Sequence, residues 1–132
     1  MKLKIAACLS GLALVAIAGT ASGQRSSAGI ADSIEQGSWN LRVRGGGEPE
    51  RRVCMSSARD LVQLRHRGLA CKRVVVSDGP TGFSVQYTCP GKGYGRTTVR
   101  KETARLLQFD TQGIENGLPF AFSGEARYAG RC

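Results

Sequence analysis

The sequence has little of what most enzymes use for catalysis. It contains one histidine, His66, which stands between Arg65 and Arg67, and it has no G-x-S-x-G segment. A general base needs an orienting partner and a nucleophile, and the local sequence supplies neither. The acidic residues are scattered, without the spacing of a catalytic motif. We therefore predict no catalytic residue and interpret His66 as a solvated side chain on the surface.

Patterns for metal, cofactor or nucleic-acid binding are also missing. Zinc sites favour cysteines and histidines at short paired spacings, and this chain has no C-x-x-C pair. The glycines of Gly91–Gly95 lack the following helix and the lysine-hydroxyl pair of a phosphate-binding loop, so we interpret them as a strand connection. Aromatic residues make up only 6% of the chain and form no platform among the basic residues. We expect no metal, no cofactor and no nucleic-acid partner.

Long apolar runs are limited to one, at the N-terminus. Two lysines precede the run from Ile5 to Ala18, and small residues close it at Gly19–Gly23. This order is typical of a secretory signal peptide, and the run is too short for a transmembrane helix. We predict a signal peptide over residues 1–23, cut after Gly23 or alternatively after Ala21. No transmembrane segment is expected once it is removed.

Four cysteines remain after the signal peptide takes Cys8 away: Cys54, Cys71, Cys89 and Cys132. An even count in a short exported chain predicts a disulfide framework. Cys54–Cys71 with Cys89–Cys132 is the favoured pairing. The first bond would enclose the predicted helix, and the second would join the end of the last strand to an earlier strand. The rival is Cys71–Cys89, across a hairpin.

The rest of the chain alternates apolar and polar residues with a period of two, which predicts half-buried strands. Seven strands are expected, over Trp39–Arg44, Arg51–Met55, Arg73–Val76, Phe83–Cys89, Arg96–Lys101, Arg105–Thr111 and Phe120–Tyr128. Ser57 and Asp60 have capping-box spacing and predict one helix, Ala58–Arg67, that Gly68 ends. We predict a mainly β fold (β-rich α+β), an antiparallel meander sheet with one short helix, stapled by disulfides. Residues 24–36 are expected to form a flexible arm and 37–132 a single domain.

Arginine is the most distinctive residue of the exported part. Loss of Lys2 and Lys4 lowers the formal net charge from +9 to +7, and few lysines remain. The alternation places several arginines on outward strand faces: Arg42, Arg44, Arg52, Arg96 and Arg100. The planar guanidinium favours phosphate and carboxylate oxygens, so these residues are candidates for anion binding. The alternative is that the charge serves solubility alone.

Several of these features together resemble a bacterial family of small exported proteins known as domain of unknown function thirty-six seventeen. The features are Gly37-Ser38-Trp39, Cys54 before a helix start, Cys71 before a hairpin, Val85–Cys89 and the ending Arg127–Cys132. The resemblance covers nearly the whole domain. It implies a periplasmic location and a mostly β fold, and the family carries no established catalytic residues to transfer.

The sequence thus predicts a periplasmic binding or cell-envelope accessory protein that is not an enzyme. Its expected partner is an anionic envelope component or an envelope protein. Two alternatives are a hydrolase of envelope material that uses a carboxylate pair, and an inhibitor of a secreted enzyme.

Overall fold

One antiparallel sheet of seven strands dominates the computed structural model, which describes residues 29–45 and 49–132. The strands are β1 (Gly37–Arg44), β2 (Arg51–Met55), β3 (Lys72–Asp78), β4 (Gly82–Cys89), β5 (Gly93–Thr103), β6 (Leu106–Glu115) and β7 (Leu118–Gly130). Their order across the sheet is β2-β1-β7-β6-β5-β4-β3. Strands β3 to β7 follow one another as hairpins, so the predicted mainly β meander is confirmed. The predicted signal peptide lies outside the described residues.

The inner face of the sheet forms the core. Trp39 and Leu41 of β1, Leu107 of β6 and Ala126 of β7, which pairs with both Leu41 and Leu107, are almost fully buried. Residues 30–34, in the segment predicted as a flexible arm, join this core through a short 3-10 turn (Ile30–Asp32) and a buried Ile34. The indole Nε1 of Trp39 donates to a backbone carbonyl of the same segment, at Glu35, at 3.0 Å.

The predicted helix Ala58–Arg67 is wrong beyond its first turn. The capping box of Ser57 and Asp60 is present, but it begins a 3-10 turn of four residues, Ala58–Leu61. Val62 is then extended, and Gln63 has a φ of 69°. The side chain of Gln63 donates to the carbonyls of residues 66 and 69, both at 2.8 Å, and so provides a partner for two backbone carbonyls of the turn. The segment places its apolar side chains on the sheet as an irregular turn. Within residues 29–45 and 49–132, no helical segment could span a lipid bilayer.

The favoured disulfide pairing is also wrong. The bonds are Cys54–Cys132 and Cys71–Cys89, the second being the rival considered above. Strands β3 and β4 pair directly, which brings the two ends of that hairpin together. Strand β1 pairs with β7 and β2 with β1, so the end of β2 lies beside the C-terminus. The order of the strands in the sheet therefore determines which cysteines form disulfides.

His66 is buried, with 2% of its surface exposed, so its interpretation as a solvated side chain is wrong. Because the turn is not helical, the outward face assumed for this residue does not exist. Its Nδ1 lies 3.2 Å from the hydroxyl of Tyr87, and its ring packs edge-on against that tyrosine. The hydroxyl of Tyr87 fills the space in which a side chain at Gly95 would place its Cβ. His66 therefore belongs to the packed interior.

Candidate anion-binding groove

The outer face of the sheet brings two of the predicted arginines to one place. Arg44 of β1 lies opposite Ser123, Ser123 opposite Asp110, and Asp110 opposite Thr98, which together form one row across four strands. Arg96 precedes Thr98 by two residues, so it lies on the same face in the next row. Neighbouring strands are about 4.8 Å apart, so the backbones of β1 and β5 are separated by about 14 Å. Two arginine side chains can flank a ligand over that width.

A groove of about 530 Å³ lies on the outer face of the sheet, over strands β1, β7, β6 and β5. Its polar lining consists of Arg44, Arg96, Thr98, Asp110, Thr111, Gln112 and Ser123. Arg96 is positioned by its Nε, which donates to the hydroxyl of Ser84 at 3.0 Å. Ser84 is only 3% exposed although it lies on the outer face. Within the described part of the chain, neither Arg44 nor Arg96 forms an ion pair.

The other end of the outer face is a compensated ion cluster. Arg42 lies 3.3 Å from Glu50 and 3.9 Å from Glu125. Arg127 binds both carboxylate oxygens of Glu125, at 2.7 and 3.2 Å. The hydrogen bond from Arg127 lowers the pKa of Glu125, with smaller contributions from neighbouring positive charge. Glu125 therefore stays ionised near neutral pH, which suits an ion pair and not the general acid of a hydrolase.

The two remaining candidates also have protein partners. The Nε of Arg52 donates to Asn40 at 3.2 Å across the β1–β2 hairpin. Arg100 lies 3.6 Å from a carboxylate oxygen of Glu102. All five predicted arginines are exposed. Arg42 and Arg100 pair with carboxylates and Arg52 bonds to Asn40, whereas Arg96 bonds only to the neutral hydroxyl of Ser84. The groove between Arg44 and Arg96 is therefore the strongest candidate for a ligand.

Sequence reasoning missed the floor of the groove. The alternation already placed Arg96 and Arg100 on one outward face, but Thr98, Asp110 and Ser123 were not singled out. Their approach depends on β6 and β7 lying between β5 and β1, and no local pattern encodes that order. Among the described residues, no group of three histidine, cysteine, aspartate or glutamate side chains could hold a metal ion.

In comparisons with known proteins, no family model, no curated protein and no solved structure matches this chain. The family resemblance of the sequence therefore stays a prediction. The groove has to be interpreted from its own geometry and charge.

Proposed function

We propose that this protein is an exported, periplasmic binding protein of the cell envelope that holds an anionic ligand between Arg44 and Arg96. The observation that carries the proposal is that these two arginines line one groove without an ion-pair partner among the described residues. An exposed guanidinium with free donors favours carboxylate or phosphate oxygens. The hydroxyl of Ser123 adds a neutral donor on the same floor, whereas that of Thr98 donates to Ser84 at 3.2 Å.

The proposed compartment rests on two features. The two disulfides are typical of proteins that fold outside the reducing cytoplasm. The N-terminal order of lysines, apolar run and small residues is that of a secretory signal peptide. Anionic lipids and polymers of the envelope are then the partners that a basic groove meets.

The test compares Arg44→Gln/Arg96→Gln with a matched control, Arg67→Gln/Arg131→Gln. Both double variants lose two positive charges, and the control positions are exposed and lie outside the groove. Retention of wild type on isolated bacterial envelopes should fall as salt rises from about 0.05 to 0.5 M, because exposed charges are screened. The groove variant should lose most of the low-salt retention, and the control should keep it.

Two results would contradict the proposal. Equal losses in both double variants would mean that net charge alone drives retention. Retention that is the same in all three proteins and independent of salt would mean that the arginines serve solubility.

A further inference from the structure

The groove continues into an apolar part. A second cavity of about 400 Å³ adjoins the first, and Arg96, Gln112 and Ala121 line both. The second cavity is lined beyond them mainly by apolar side chains. Because the two cavities share three residues on adjacent strands, they form one continuous groove with a cationic end and an apolar end.

The apolar end is built from a single row of the sheet. Tyr94 of β5 pairs with Ile114 of β6, and Ile114 pairs with Pro119 of β7. Tyr94 is 50% exposed, although an aromatic side chain gains most from burial. This row lies two residues from Arg96 along β5, a distance of about 7 Å. An uncovered apolar row therefore lies directly beside an arginine that lacks an ion pair in the described chain.

Asp110 restricts the charge of the ligand. Its carboxylate lies on the floor of the cationic end and forms no ion pair with any residue that the structure describes. Two arginines and one carboxylate give the cationic end a formal charge of +1. Such a site matches a head group with one negative charge better than a polyanion, which Asp110 would repel.

We infer that the ligand is an amphipathic monoanion of the fatty-acid type. This inference rests on the anion site proposed above. The carboxylate head binds between Arg44 and Arg96, and the apolar chain lies over Tyr94, Ile114 and Pro119. Charge complementarity fixes the head, and burial of the exposed row supplies the additional affinity.

Calorimetric titration of the folded, disulfide-bonded protein with decanoate, acetate and decanol tests the inference. Decanoate should bind at least about tenfold more tightly than either acetate, which lacks the chain, or decanol, which lacks the charge. Tyr94→Ser should weaken decanoate binding severalfold and leave acetate unchanged, whereas Tyr94→Phe should keep wild-type affinity. Asp110→Asn should strengthen decanoate binding, because it removes a repelling charge.

The outcomes separate the two proposals. Equal affinity for acetate and decanoate, both lost in Arg44→Gln/Arg96→Gln, would overturn the amphipathic ligand and leave the anion site standing. Equal affinity for decanol and decanoate, unchanged in that variant, would contradict the anion site itself. Absence of decanoate binding at millimolar concentration, or weaker binding in Asp110→Asn, would also overturn the inference.

Discussion

At the scale of single residues, the interior contains a polar cluster that alternation did not predict. Tyr87 lies on the inner face, 1% exposed, with His66 against its hydroxyl. Thr97 and Thr111 form a buried hydroxyl pair at 2.9 Å on the neighbouring strands. Buried polar groups are tolerated when they bond to one another. Of these four residues, alternation placed only Tyr87 on the apolar face of its strand, because the polar partners come from other elements of the fold.

Tyr87 should make the fold sensitive to alkaline pH. Burial raises the pKa of its hydroxyl from the ordinary 10.0 to about 12, since the charged phenolate is poorly solvated there. The folded state thus holds its proton more tightly than the unfolded state. This contribution is fully present below pH 10, and stability should fall by on the order of 2 kcal/mol as pH rises from about 10 to 12.

Urea unfolding at a series of alkaline pH values measures this effect. Tyr87→Phe should remove the decline between pH 10 and 12, and Tyr94→Phe, at an exposed tyrosine, should keep it. A wild-type profile that stays flat over this range would show that Tyr87 does not ionise with unfolding.

At the scale of elements, the strands were predictable and the turn that covers them was not. Alternation placed Phe83, Val85 and Tyr87 on one face of β4, and all three are buried. The turn that follows Leu61 depends instead on Gln63, whose amide accepts from Arg73 and donates to two backbone carbonyls. A long-range side-chain contact of this kind overrides helix propensity.

Gln63→Ala should therefore destabilise the protein although it improves helix propensity. The carbonyl of residue 66 keeps only the N–H of Leu69, at 3.4 Å, and the carbonyl of residue 69 loses its side-chain donor. A buried polar group that loses its partner costs about 1–3 kcal/mol. Gln86→Ala, at an exposed position of β4, is the control and should change the free energy of unfolding by less than about 0.5 kcal/mol. Equal unfolding midpoints in urea for the two variants would show that Gln63 does not hold the turn.

At the scale of the whole molecule, the two disulfides fix different things. Cys71–Cys89 closes a hairpin with a sequence separation of 18, whereas Cys54–Cys132 joins β2 to the C-terminus over a separation of 78. The longer loop removes more conformational freedom from the unfolded chain, in the entropic account of disulfide stabilisation. The Cys54–Cys132 bond therefore constrains the chain over most of the domain.

Replacing Cys54 and Cys132 together by Ala should cost about 4.5 kcal/mol, against about 3 kcal/mol for Cys71 and Cys89. Thermal unfolding of both double variants beside wild type, without reductant, gives the comparison. A larger loss for the Cys71/Cys89 variant would mean that local packing around the buried Cys89 outweighs loop entropy.

Local sequence patterns were enough to predict the fold class, the seven strands and most of the inner face. Each of these depends on neighbours one or two residues apart, such as the alternation around Phe122 and Ala126 of β7. Period-two alternation follows directly from strand geometry, so it can be read without knowing which strands pair.

The disulfide pairing, the burial of His66 and the location of the groove depend on contacts between residues that are distant in the sequence. Arg44 and Arg96 are far apart in the chain and meet because β6 and β7 lie between their strands. Strand order results from how the whole sheet buries its inner face, and that depends on contacts summed over the entire domain. The arginines were therefore predictable as candidates for anion binding, but it was not predictable that Arg44 and Arg96 would line the same groove.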